Sequence, residues 1–354
     1  MPNLASFYRG KRVLVSGHTG FVGGWLTAWL KVLGANVIGF ALPPKTRPNL
    51  FDAAMLDRNI ISIFGDVRDR GALTTAFAQQ QPEIVIHLVG QAPANRAHDE
   101  PVETYATNVM GTVHVLEEAR YARSLRALLV LTSEVTGEDR AQDARARSDL
   151  SGNDLYGSSL ACAELVTKAY RESFFNQPGS AVVASVRADN IIGGGDWEEG
   201  RLVPSIARGI SSGKPVSINN SDRLSSWQHV LDPVRGCLLL AQCLYEDGRD
   251  LAGPWTFTAD GPAISAEELA KRMISLWPED ALTNPNPSSA SQKKQLSKRG
   301  SPKLLAHIGW KPLLNFDQTL EWTVEWYRAF YQNAALAWPI TEAQIRRFTQ
   351  ISGK

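Results

Sequence analysis

Three glycines spaced three apart, Gly17, Gly20 and Gly23, separate a short apolar run from an amphipathic segment, and few chain paths satisfy that arrangement. Arg12-Val-Leu-Val-Ser16 has the β-branched, aliphatic character of a buried parallel strand. Beyond the glycines, Val22, Leu26, Trp29, Leu30 and Leu33 recur at helical spacing, and Gly34 closes the segment. In a strand–turn–helix the first glycine permits the tight turn and the second lets the backbone approach a pyrophosphate. The third lets the helix pack on the strand. Free N–H groups and the dipole of the helix start then hold the anion. The turn therefore predicts a dinucleotide site; the plainer alternative is a strand–helix turn with incidental glycines.

The pattern continues down the chain. Apolar runs at 36–42, 60–64, 83–89, 127–132 and 181–186 read as strands, alternating with helical stretches at 73–80, 103–121 and 156–175. Such alternation with buried strands predicts an α/β fold, a Rossmann doubly wound parallel sheet. After Ile191 the chain changes character: three glycines lead into shorter elements broken by Pro204, Pro215 and Pro233. Residues 277–303, dense in Pro, Ser, Asn and Lys, read as a surface loop, and helices follow at 320–331 and from about 341. The expected division is a dinucleotide-binding domain, 1–190 with 225–260 returning to it, and a smaller C-terminal α/β substrate domain, 191–224 with 261–354.

Composition narrows the partners. In 354 residues, 37 Lys and Arg balance 36 Asp and Glu, so no basic excess is available for nucleic acid or an anionic membrane. Cys162, Cys237 and Cys243 form no CxxC pair, which favours a reducing interior. The first twelve residues hold no signal-peptide core, and no apolar run approaches the ~20 residues of a membrane helix. A cytoplasmic protein with a small-molecule substrate is expected. No histidines lie at metal-ligand spacing, so no metal is expected. His87, inside an apolar run, reads as a satisfied core histidine, and Cys162 reads as packing. The choice between NAD and NADP stays open. The second strand ends Gly39-Phe-Ala-Leu42 without a carboxylate, and Lys45 and Arg47 beyond it are candidates for a 2′-phosphate or for a solvated loop.

The glycine turn, Gly65-Asp-Val-Arg-Asp69, His87-Leu-Val-Gly-Gln91, Asn108-Val-Met-Gly-Thr112 and Tyr156 occur in an order that resembles the extended short-chain dehydrogenase/reductases. Val102-Glu-Thr-Tyr-Ala-Thr-Asn108, Ala161-Cys-Ala-Glu-Leu-Val166, Gly193-Gly-Gly-Asp-Trp197, Trp227-Gln-His-Val230 and Trp322-Thr-Val-Glu-Trp-Tyr327 resemble, more closely, the CDP-glucose 4,6-dehydratases of the NAD-dependent epimerase/dehydratase family. The resemblance runs from about Gly10 to Tyr331. It implies bound NAD, oxidation of a nucleotide hexose at C4, loss of water across C5–C6 and return of the hydride to C6. It implies that Gly17, Thr19, Gly20, Phe21, Val22, Gly23, Asp66, Val67, Leu88, Gln91, Asn108 and Tyr156 hold the cofactor, with Asp66 on the adenine side. Asn190, Arg201 and Leu202 would hold the substrate nucleotide. Tyr156, Ser133 and Glu134 would carry the catalysis, with residues 138–149 as a flap. A homodimer or tetramer through the helices near 103–121 and 156–175 is implied as well.

The match breaks at the chemistry. The Tyr-x-x-x-Lys motif reads Tyr156-Gly-Ser-Ser-Leu160, so leucine stands where a cation would hold the nicotinamide ribose and lower the tyrosine pKa. The acid/base triplet reads Ser133-Glu134-Val135, with an aliphatic third member. Ser225 stands where an arginine would grip a pyrophosphate; Arg223 lies two positions earlier. Lys168 is twelve residues beyond Tyr156, about 18 Å along a helix. Three functions follow: a sugar-nucleotide enzyme with altered or impaired dehydration, a reductase-type enzyme acting on a different secondary-metabolite substrate, or a non-catalytic cofactor-binding paralogue.

Overall fold

The computed structural model describes residues 3–91, 94–132, 154–188, 190–213, 217–218, 224–246, 248–277, 286–287 and 302–353. Ser133, Glu134, Val135, the 138–149 stretch, Arg223 and most of the 277–303 stretch lie outside the described residues.

Seven parallel strands form one sheet: β1 (Arg12–Ser16), β2 (Asn36–Ala41), β3 (Ile61–Phe64), β4 (Ile84–His87), β5 (Ala127–Thr132), β6 (Val182–Ala188) and β7 (Gly253–Phe257), in the order β7-β6-β5-β4-β1-β2-β3. Period-two alternation sorts their side chains. Val13 and Val15 enter the core on one face, and Leu14 enters a second core on the other. The inner strands β1, β4, β5 and β6 are buried on both sides, which is why they read as continuous apolar runs rather than alternating ones, whereas Ile61 and Phe64 of the edge strand β3 are exposed. Edges shift by one or two residues from expectation, and Gly253–Phe257 is a strand that periodicity left unmarked.

Helices of ten residues or more are α1 (Phe21–Val32), α2 (Arg70–Gln80), α3 (Gly111–Tyr121), α4 (Leu155–Phe174), α5 (Leu202–Ser211), α6 (Leu231–Tyr245), α7 (Ala266–Ser275), α8 (Phe316–Gln332) and α9 (Ala337–Ser352). The single helix expected over 103–121 is instead three pieces. Pro101–Tyr105 opens it, Ala106–Met110 is a π-helical turn, and α3 completes it. Proline at the first helical position suits the start, because its missing N–H has no partner there anyway. The last helix begins at Ala337 rather than near 341 and packs on α1, with Phe348 edge-on to Trp29 at 5.6 Å. One apolar cluster consequently runs from Val13 through Trp29 to Trp322 and Phe348, joining the sheet to the chain's last helices.

Tryptophans close the seam between the sheet and residues 193–201. Trp25 Nε1 donates to the Gly194 carbonyl at 2.9 Å, and Trp197 packs against Trp326 and Phe330. A Cβ on Gly194 would sit 2.1 Å from the Trp326 ring, so no larger residue fits there. Each buried tryptophan removes about 150–250 Å² from water, worth roughly 4–6 kcal/mol as an upper bound.

Candidate functional site

The strand order reverses beside β1: the chain goes to β2 and β3 on one side, then crosses to β4 on the other. A crevice opens at the carboxyl ends of strands where such a reversal occurs. Here it is a cavity of about 820 Å³, walled by the turn after β1, the segments after β2, β3 and β4, the start of α4, and residues 190–204.

The glycine turn is its backbone floor. Gly17, at φ +83°, donates its N–H to Phe40 O at 2.9 Å, and Gly20 N–H donates to Gly17 O at 3.0 Å. A Cβ on Gly23 would lie 2.0 Å from Gly17 O, and one on Gly17 would lie 3.1 Å from the Leu88 carbonyl carbon. Gly20 caps α1 without a side-chain acceptor, which leaves the early N–H groups of the helix open to an anion. His18 turns under the floor. Its Nε2 meets Ser62 Oγ at 2.8 Å, and burial pushes its pKa down to about 4. His87 is likewise interior, with Nδ1 2.6 Å from Ser16 Oγ and a pKa held near about 4 by burial.

Thr19, Phe21, Val22, Asp66, Val67, Leu88 and Gln91 all line the cavity. Asp66 grips Arg68, with Nη2 at 2.6 Å, and this hydrogen bond holds its carboxyl below the usual range. Asn108 does not reach the wall. It is 2% exposed, and its Oδ1 accepts from Gln91 N–H at 2.7 Å while its Nδ2 donates to Ser159 Oγ at 2.8 Å. Its amide ties the loop after β4 to α4.

Asp154 caps α4 by accepting from Gly157 N–H at 2.7 Å, fixing the first turn that carries Tyr156. Tyr156 and Leu160, one turn apart on one helical face, both line the cavity. One turn further, Glu164 is buried and accepts from Ser185 Oγ at 2.7 Å, with the Arg187 guanidinium at 3.3 Å. This buried network joins α4 to β6 and had no signal in the sequence pattern. Lys168 is exposed on the same helix.

Asn190 lines the cavity in the left-handed region at φ +46°. Arg201 and Leu202 stand at the start of α5, whose first turn has no side-chain cap and faces the cavity. Arg201 donates to Asp196 Oδ2 at 2.8 Å; burial opposes its charge, but Asp196 outweighs that and raises its pKa. Ser225 is buried in a short strand pairing Leu224–Ser225 with Ile264–Ser265 and does not reach the cavity wall. Sequence reasoning missed Glu198, Arg96 and Trp227 as wall residues. Burial raises the Glu198 pKa against the pull of Arg201. Its position beside Asp196-Trp197 was the available signal. Among the described residues, no three His, Cys, Asp or Glu side chains gather to hold a metal ion, and no helix is long and apolar enough to cross a membrane.

The cradle fits a dinucleotide on its own geometry: Gly17 and Gly23 where a side chain would be strained or clash, open N–H groups at a helix start, and one cavity lined by them and by Tyr156. The pattern of the NAD dependent epimerase/dehydratase family matches residues 13–250. The chain is 38% identical over 332 residues to a CDP-glucose 4,6-dehydratase of Salmonella typhimurium, covering 92% of each. Among solved structures, an epimerase from Methanothermobacter thermautotrophicus superposes with a TM-score of 0.73 at 20% identity, covering 94% of this chain and 96% of that one. A dTDP-glucose 4,6-dehydratase from Bacillus anthracis, in complex with NAD, superposes with a TM-score of 0.70 at 19% identity, covering 94% and 100%.

Proposed function

The chain belongs to the NAD dependent epimerase/dehydratase family, and from that premise we propose a CDP-glucose 4,6-dehydratase-like enzyme that acts on a nucleotide-activated sugar with altered dehydration chemistry. The observation that carries the reading is one continuous cavity joining the glycine turn, Tyr156 and the start of α5. NAD, when bound, supplies the hydride acceptor and donor. The turn and the open start of α1 hold its pyrophosphate. Tyr156 takes the proton of the sugar hydroxyl that is oxidised, and the first turn of α5 with Arg201 receives the substrate's phosphates.

Leu160 supports the altered chemistry. It is 5% exposed and lines the cavity one turn from Tyr156, where it offers neither charge nor hydrogen bond. Among the described residues lining the cavity the lysine is Lys45, on the loop after β2. The test is purified protein incubated with CDP-glucose, together with release and quantification of bound nicotinamide cofactor. Bound cofactor with little or no 4-keto-6-deoxy product is expected. Rapid turnover would sink the altered chemistry, and a protein unable to hold a dinucleotide would sink the enzyme reading. A second reading, a different small-molecule substrate with less charge, draws on Ser225, whose side chain is buried away from the cavity.

For assembly, we propose a second copy packed on α4 and the segment leading into α3. Val102 in that segment is 81% exposed and Leu165 on α4 46%, with Tyr121 at the end of α3 at 63%, apolar side chains that pairing removes from water. Light scattering should give a dimer or tetramer mass; a monomer at micromolar concentration overturns this assignment.

A further inference from the structure

A dinucleotide site of this kind reads the adenosine ribose at the end of its second strand, about twenty residues past the glycines. A carboxylate there takes the 2′-hydroxyl, whereas a cation accommodates a 2′-phosphate. In this chain Ala41-Leu42-Pro43-Pro44-Lys45-Thr46 walls the cavity and contains no carboxylate. Thr19 Oγ1 donates to Leu42 O at 2.9 Å, tying this segment to the glycine turn. Two prolines with fixed φ then lead directly to Lys45. Lys45 lines the cavity, and Arg47 does not.

The charges facing Lys45 are Arg96, Glu198, Glu100, Glu103 and Asp66. Three of the four carboxylates are committed elsewhere: Asp66 and Glu103 to Arg68, and Glu100 to Arg96. None of the described carboxylates comes within ion-pair distance of the Lys45 ammonium. Desolvation in the cavity, with the positive charge of Arg96 added, lowers the Lys45 pKa; a dianion placed beside the two cations relieves both effects.

We propose that Lys45 receives the 2′-phosphate of a phosphorylated dinucleotide, so that the cavity takes NADP as well as NAD. The inference rests on the cofactor reading above. The experiment is calorimetric titration of the full-length protein, stripped of cofactor, with NAD and with NADP. NADP is expected to bind about as tightly as NAD. Lys45→Ala should weaken NADP about ten- to a hundredfold, the range for losing one hydrogen bond between charged groups, and leave NAD unchanged. Lys45→Arg should restore NADP binding. Exclusion of NADP by the unaltered protein overturns the proposal, as does an equal loss of both ligands in Lys45→Ala. A preference that responds to Glu198→Gln and not to Lys45→Ala assigns the ribose to Glu198 and overturns it too. Failure of both dinucleotides to bind sinks the cofactor reading itself, whereas NAD binding with NADP excluded sinks this inference alone.

Discussion

The two ends of the cavity are built from different materials. The dinucleotide end is backbone: Gly17 and Gly23 act through what they lack, Gly17 at φ +83° and Gly23 where a Cβ would meet the Gly17 carbonyl at 2.0 Å. The other end, to which the proposed catalysis is assigned, is side chains displayed from α4, where Tyr156 and Leu160 sit on a helix held by its Asp154 cap and by Glu164 beneath. Changing the first end changes the path of the chain. Changing the second alters chemistry and leaves the path intact, because a helix face accepts leucine or lysine with equal ease. A leucine beside Tyr156 on the cavity wall, with the glycine cradle retained, is an outcome that difference permits.

The sharpest way to break the comparison is Gly23→Ala. The methyl must displace backbone, so we expect loss of dinucleotide binding and about 1–3 kcal/mol or more of stability, read by titration and thermal melting. Tight NAD binding by a stable Gly23→Ala protein would show that the floor is less constrained than its geometry. Leu160→Lys tests the other end. It should leave NAD binding and the fold in place, raise turnover of CDP-glucose at least about tenfold, and move the pH–rate profile toward lower pH as a cation favours tyrosinate. No gain would mean that the chemistry lacks more than this one charge.

The last effect is a pH dependence of the buried histidines, His18 and His87 near the glycine turn and His229, whose pKa burial holds down to about 3. His18 and His87 are held near about 4, below the ~6.5 of an unfolded histidine, because burial disfavours their charged forms. Between those values the unfolded chain binds protons that the folded chain does not. Stability is full above pH ~6.5 and falls as pH drops toward 4, by about 1.4 kcal/mol per unit for each histidine. Asp232, pushed up to about 7 by burial, acts in the opposite sense throughout this range and offsets one of them. Melting temperature should therefore fall from pH 7 to pH 5. A rise over that interval would show that these histidines are already charged in the fold.

The floor was legible because its residues are explained by local geometry: a strand, three glycines at fixed spacing and a helix leave little choice. The wall was less so. Asn108 reads as a ligand residue because polar groups beside a site resemble contacts, yet its amide is consumed by the Gln91 N–H and Ser159. The π-helical turn at Ala106–Met110 carries no periodic signature distinct from the helix around it. Glu164 and Arg187 look like surface charges in an amphipathic pattern until β6 and α4 are brought together. Lys45 and Glu198, 153 positions apart in the chain, become walls of one cavity only when the loop after β2 meets the segment after β6.

What the sequence by itself determined is the sheet, its glycine cradle and the leucine four residues after Tyr156, since strand burial, turn sterics and residue identity are local properties. The tertiary structure decided which polar groups face the cavity and which are consumed in holding it. That choice depends on hydrogen-bond partners supplied by distant segments: the Asn108 amide is spent on Gln91 and Ser159, while Lys45, without a carboxylate partner among the described residues, lines the cavity.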